Sequence, residues 1–168
     1  MKFKEYEAPC GRLLLGVHGD SICLCDWIVG DRIEKTLRRI HRHLPPTSCN
    51  DVVPLLEEAT LWLNDYFDGR AGEINFSVAA LGTEFQRRVW ECLCHIPYGK
   101  TESYRFIAEA VGMPEGVRAV AAAIAANPVS ILIPCHRIIG QDGSLTGYAG
   151  GLDAKKYLLR LEKLHCDD

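Results

Sequence analysis

Apolar and polar residues along this chain fall into two regimes. Residues 12–17 and 21–29 are short runs rich in Leu, Val, Ile and Cys, separated by His18-Gly19-Asp20, which predicts two strands joined by a turn. From Asp31 the apolar positions Ile33, Leu37, Ile40 and Leu44 recur at helical spacing until Pro45-Pro46 ends the segment. A second helix begins near Asn50, shows an apolar face of Val53, Leu56, Leu63 and Phe67, and stops at Asp68-Gly69. Glu73 to Val78 then alternates in the manner of an edge strand. This stretch reads as a small α/β unit.

Beyond Ala79–Gly82 the pattern turns helical. Thr83-Glu84-Phe85-Gln86 is a capping-box sequence opening a helix that carries Val89, Trp90 and Leu93. Ile96-Pro97-Tyr98-Gly99 breaks it, and Ser103 can cap a helix reaching Val111. The turn Gly112 to Gly116 leads into another helix ending at Ala126, so the pair has the outline of a helix-turn-helix. The expected architecture is α/β: an N-terminal unit over residues 1–79, antiparallel sheet plus helices, followed by a mainly helical unit over 82–168.

Composition narrows what such a chain can be. At 168 residues and 48% hydrophobic content it can bury a core unaided. No apolar run approaches the roughly 18 residues of a membrane span, and the start, Met-Lys-Phe-Lys-Glu-Tyr-Glu, is charged, so neither export nor membrane contact is expected. Eight cysteines in a chain of this length suit reduced thiols in a cytoplasm better than a disulfide framework. Net charge is −3, which argues against binding nucleic acid by bulk electrostatics alone. The acidity is uneven, however: residues 1–82 hold 9 basic and 12 acidic side chains, and residues 83–168 hold 10 of each. The second half could therefore face phosphates locally.

Candidate chemistry concentrates between Asn127 and Gly151. There Ile131-Leu132-Ile133-Pro134 delivers Cys135 to the end of an apolar run, beside His136 and Arg137. A free thiol has a pKa of about 8.5, and cationic neighbours increase its thiolate fraction. A buried structural cysteine is the alternative. The helix from Val117 contains one charge, Arg118, among small residues, so it is either a packed alanine-rich core helix or one shaped for a narrow minor groove with Arg118 reaching the base stack. Cys10, His18, Cys23 and Cys25 could meet across the predicted hairpin, but their spacing is not that of a zinc finger, and Cys92-Leu93-Cys94-His95 reads as a helix face; no metal is expected.

Taken together, Gly82-Thr83-Glu84-Phe85-Gln86-Arg87-Arg88-Val89-Trp90, Ile96-Pro97-Tyr98-Gly99, Ser103-Tyr104, Arg118-Ala119-Val120, Asn127-Pro128, Ile133-Pro134-Cys135-His136-Arg137, Gly147-Tyr148-Ala149-Gly150-Gly151 and Leu158-Leu159-Arg160-Leu161-Glu162 resemble the O6-alkylguanine-DNA alkyltransferase family. The first half matches more loosely, in layout and in Tyr66-Phe67-Asp68-Gly69. The resemblance implies a ribonuclease-H-like N-terminal domain and a winged-helix-like C-terminal one. It also implies repair of O6-alkylguanine, with O4-alkylthymine a related candidate, by flipping the base and moving its alkyl group irreversibly onto Cys135.

The same resemblance distributes roles. Cys135 is the nucleophile, and His136 the base acting through a bridging water, because adjacent residues do not face one another. Glu162 orients His136, although by spacing alone it could be a solvated charge. Asn127 braces the turn between recognition helix and active-site loop, or caps the helix. Tyr104 donates to the departing guanine, since an ordinary phenol is protonated near neutral pH. Arg118, Tyr104, Arg105, Ala119, Ala121 and Gln141 face DNA, and Tyr148, Ala149, Ile138 and Ser130 line the substrate pocket. Ser130 and Thr146 depart from residues found in other members. No cofactor is implied. The partner is alkylated double-stranded DNA met through its minor groove by a monomer, in the cytoplasm, or in the nucleus of a eukaryote. Two rivals remain: a thiol hydrolase using Cys135, His136 and Glu162, and a noncatalytic DNA-binding protein.

Overall fold

A computed structural model describes residues 1–46 and 53–166. Three strands, β1 (Lys2–Ala8), β2 (Gly11–His18) and β3 (Ser21–Trp27), form an antiparallel meander. The second and third are the predicted hairpin, with β3 ending at Trp27 rather than 29. The first strand was not anticipated, because only Tyr6 of its seven residues is buried and its flanking Lys and Glu side chains obscure the alternation. Such charges suit an edge strand, where they discourage pairing with another chain.

Helix α1 (Arg32–His41) lies on β3. It stops short of the prolines, since Ile40 is its last buried residue and a residue preceding proline is driven out of helical geometry. Helix α2 (Val53–Phe67) crosses all three strands and buries Leu56, Ala59, Leu63, Tyr66 and Phe67. Its expected start near Asn50 lies outside the described residues, as does Cys49. Gly69 ends it with φ 74°, a conformation that favours glycine.

The expected strand at Glu73–Val78 does not form. Only Val78 bridges Ile22, with the Ile22 amide donating to Ser77 O and the Ala79 amide to Ile22 O, both at 2.9 Å. The outer edge of β3 is shared: Val129 bridges Cys25, whose amide donates to Pro128 O at 2.9 Å, so the segment before Ala79 finds one partner residue rather than a ladder.

Helix α3 (Glu84–Cys94) opens with the predicted capping box, Thr83 and Gln86 exchanging side-chain to backbone bonds. Helix α4 (Tyr104–Ala110) is capped by Ser103, and α5 (Val117–Ala125) follows a turn in which Gly112 has φ 76°. The three helices pack on one another; the Trp90 indole N–H donates to Ala123 O at 2.8 Å and Arg88 to Val111 O at 2.7 Å. Strand β4 (Glu102–Ser103) pairs in parallel with β5 (Ile138–Ile139), tying the start of α4 to the residues after Cys135. Helix α6 (Leu152–His165) buries Ala154, Leu158 and Leu161 on a face that also carries Lys155 and Glu162.

One apolar cluster runs through both halves, joining Leu13, Trp27, Leu63 and Tyr66 to Trp90, Ile107, Val120, Val129 and Leu158. Within it Ile131 adopts φ 72°, a left-handed conformation unfavourable for a β-branched residue. No helix among the described residues is long and apolar enough to cross a membrane.

Candidate active site

Cys135 opens a single 3-10 turn, Cys135–Arg137, and is 5% exposed at the floor of a cavity of about 390 Å³. Arg32, Tyr104, Ala121 and Ile124 line one part of that cavity and Gly147, Tyr148 and Ala149 another. The turn is placed by Asn127, whose Nδ2 donates to Ile133 O at 2.9 Å and whose Oδ1 accepts from the Val129 amide at 3.0 Å. That side chain thus bonds backbone groups of the loop between α5 and the thiol through both its amide nitrogen and its amide oxygen. Burial raises the Cys135 thiol above its ordinary value, and Asn127 opposes the rise without reversing it. The direction of that shift favours the thiol form at rest.

His136, next to Cys135 in the chain, is fully buried. Its Nε2 lies 2.6 Å from Glu162 Oε1. Burial lowers the imidazole pKa, with Glu162 pulling the other way, so the ring is held neutral. An ionised carboxylate only accepts hydrogen bonds, which assigns the ring proton to Nε2 and leaves the lone pair on Nδ1. That Nδ1 is buried and has no protein partner among the described residues. An unsatisfied buried acceptor of this kind suits an ordered water or a reacting proton.

Glu162 is fixed from several sides. Tyr66 donates to it at 2.8 Å, the Gly99 amide at 3.2 Å, and Arg137 at 2.8 Å through Nε and 3.0 Å through Nη2. Burial would raise its carboxyl, but His136 and Arg137 hold it at about 2. The expectation that Arg137 activates the thiol as a cationic neighbour is corrected here: its guanidinium grips Glu162 and Ile96 O, the latter at 2.6 Å, and its charge is spent there.

Above the cavity lies a second concavity, lined by Tyr104, Arg105, Val117, Arg118, Ala121, Gln141 and Thr146, which shares Tyr104 and Ala121 with the first. Five of the six residues expected to face DNA are thereby gathered in one groove, and Ala119, outside it, is exposed on α5. Arg105 is held in an ion pair with Glu109 at 3.0 Å. The Tyr104 hydroxyl accepts from Thr146 at 2.9 Å. Two expected pocket residues are placed elsewhere. Ile138 is fully buried in the β4–β5 ladder, and Ser130 is fully buried with its hydroxyl donating to Asp26 at 3.4 Å. Neither lines the cavity, because Ile138 pairs its backbone with β4 and Ser130 turns toward the sheet.

A protein of Methanosarcina barkeri named methylated-DNA–protein-cysteine methyltransferase is 40% identical to this chain over 164 residues, covering 97% of this chain and 98% of the relative. The chain belongs to that methyltransferase family. A family model described as the DNA-binding domain of 6-O-methylguanine DNA methyltransferase matches residues 84–164. A crystal structure of the Mycobacterium tuberculosis O6-methylguanine methyltransferase superposes with a TM-score of 0.79 at 36% identity, covering 98% of this chain and 94% of that one. A structure of the Mycobacterium tuberculosis OGT in complex with DNA aligns equally well, TM-score 0.79 at 37% identity over 97% and 93% of the two chains.

Several residues that build the site in this methyltransferase-family chain were given no role from the sequence, and four of them lie outside the stretch matched by the family model. Asp26, fully buried, accepts from Arg32 at 2.8 Å, Thr36 at 2.9 Å and the Trp27 amide at 2.9 Å. Arg32 in turn donates to Ala125 O and Asn127 O, each at 3.3 Å, neutralising the carbonyl end of α5 beside the cavity. Tyr66 reaches Glu162, and the Trp27 indole reaches Tyr148. The signal for Asp26 was available, as a lone acid inside the apolar run Cys23-Leu24-Cys25-Asp26-Trp27. A fifth, Lys155, donates from the buried face of α6 to Ile138 O and Thr146 O. Among the described residues no group of three or more His, Cys, Asp or Glu side chains is gathered to hold a metal ion.

Proposed function

We propose that this chain is a methylated-DNA–protein-cysteine S-methyltransferase that repairs O6-alkylguanine in DNA by taking the alkyl group onto Cys135. The carrying observation is the thiol at the cavity floor, backed by a neutral His136 that Glu162 holds in the tautomer with Nδ1 free. In the transfer, Cys135 Sγ forms a bond to the alkyl carbon as that carbon's bond to guanine O6 breaks. The thiol proton passes through a bridging water to His136 Nδ1. Tyr104, at the cavity rim, donates a hydrogen bond to the departing guanine anion, and the proton taken up by His136 is passed on through water to that base, so guanine leaves with the thiol's proton in place of the alkyl group. The product thioether has no good leaving group, so each chain acts once.

DNA is the partner, approached through the minor groove by a monomer, with α5 lying along the groove and Arg118 filling the gap of a flipped base. This reading is supported by the small residues of α5 and by the groove of Arg105, Arg118 and Gln141 opening next to the thiol cavity. Residues 1–79 and 82–168 act as two domains whose shared face forms the site, and the cytoplasm is the natural compartment for a reduced thiol. Incubation with a duplex containing O6-methylguanine should add one methyl group per chain by intact-mass spectrometry, mapped to Cys135. Cys135→Ala should bind the duplex and gain none; methyl uptake by that variant, or repeated turnover by the wild type, overturns the assignment.

A further inference from the structure

Tyr148 sits in a segment with little stiffness of its own. Gly147, Gly150 and Gly151 surround it, and the turn is closed by one backbone bond from the Gly151 amide to Tyr148 O at 3.0 Å. Yet Gly147, Tyr148 and Ala149 form a wall of the cavity above Cys135. Lys155 and Tyr104 hold the preceding Thr146, but the hydrogen bond on the Tyr148 side chain comes from the other half of the chain. The Trp27 indole N–H donates to the Tyr148 hydroxyl at 3.1 Å, the phenol's only hydrogen bond among the described residues. The two rings meet edge to face with centroids 6.0 Å apart. Gly150 lies so close to the indole that a Cβ there would stand 2.6 Å from Trp27 Cδ2. Trp27 itself is 1% exposed, held in register opposite Leu13 at the end of β3. On its far side Tyr148 meets the His136 ring with centroids 6.5 Å apart.

We infer that Trp27 is a positioning residue that sets the alkyl size accepted at Cys135, by pinning Tyr148 and backing Gly150 so that the cavity wall stands at a fixed distance from the thiol. The inference rests on the alkyl-acceptor reading above. A pinned wall holds a methyl group close to sulfur and crowds a larger substituent. Released, the glycine-rich segment swings outward, which admits bulk and holds methyl less well. Trp27 does not line the cavity and acts through Tyr148.

The test is a competition between two otherwise identical duplexes, one carrying O6-methylguanine and the other O6-benzylguanine, with the Cys135 adducts counted by intact mass. Trp27→Phe keeps a ring in the core and deletes the indole donor. Tyr148→Phe deletes the acceptor and changes one loop atom, so it answers the question even if Trp27→Phe fails to fold. Each should raise the benzyl-to-methyl adduct ratio by about three- to ten-fold, the scale of one hydrogen bond. The double variant should go no further than the larger single effect. A merely structural loss would lower both adducts together. An unchanged or lowered ratio in folded variants, or single effects that multiply in the double variant, overturns the inference while leaving the acceptor reading intact. Absence of both adducts on the wild-type chain overturns both readings.

Discussion

Glu162 is the residue on which the site's hydrogen bonds converge: five, from His136, Arg137, Tyr66 and Gly99, end on its two oxygens. His136→Ala and Glu162→Gln should each slow methyl transfer by about 10²–10⁴-fold, and the double variant should be little slower than the poorer single one, because both lie on one proton path. Independent, multiplicative losses in single-turnover assays would reject that path. The pH dependence has a definite sign. His136 acts as a base only when neutral, and burial holds its folded pKa below 6.5, so the transfer rate should persist into mildly acidic solution and fall as pH drops through that depressed value. Stability follows the same direction. The stabilisation from ionised Glu162 is fully present above its ordinary 4.5 and is lost as pH falls through about 2. Thermal melts in that window should steepen for the wild type and flatten for Glu162→Gln.

At the scale of elements, the proposed function assigns DNA handling to α5 and the chemistry to the loop that follows it. Arg118 is exposed in the groove and touches nothing in the relay, so Arg118→Ala should slow repair of duplex DNA severely while barely changing alkylation by free O6-benzylguanine base. Arg118→Lys should restore part of the duplex rate, since length and charge survive. Equal losses on duplex and free base would make Arg118 a packing residue. The helices were legible because their ends are chemically marked: Thr83 and Gln86, Ser103, Gly69 and Gly112 do in space what their positions suggested. The strands were less so. β1 hides one buried residue among charges, and Glu73–Val78 alternates correctly but has one partner residue to pair with. The buried thiol and the His136–Glu162 pair were legible in the motif and its resemblance, whereas the bonds linking Asp26, Trp27, Arg32 and Tyr66 to Ser130, Tyr148, Asn127 and Glu162 span 95 to 121 residues of chain, a distance local patterns do not encode. Arg137 was misread because adjacency in sequence was taken for proximity of charge to sulfur.

The molecule as a whole has one core, and the cavity sits where its two halves meet. Because Trp27, Tyr66, Val129 and Leu158 belong to the same buried cluster, unfolding should be a single transition, with near- and far-ultraviolet circular dichroism losing signal together. Two separated transitions would mean that residues 1–79 and 82–168 fold as independent units. The strained Ile131 sits in that core. Its left-handed backbone costs about 1–2 kcal/mol, while burying an isoleucine side chain contributes about 1.5–3 kcal/mol, and Ile131 is 2% exposed. Packing therefore wins over local preference, though not by much. A short peptide with the same Pro-Cys-His-Arg string would relax to an ordinary backbone, so counting such strings in other sequences does not count thiols set at the floor of a cavity; that placement is a property of the surrounding packing, borrowed by four residues.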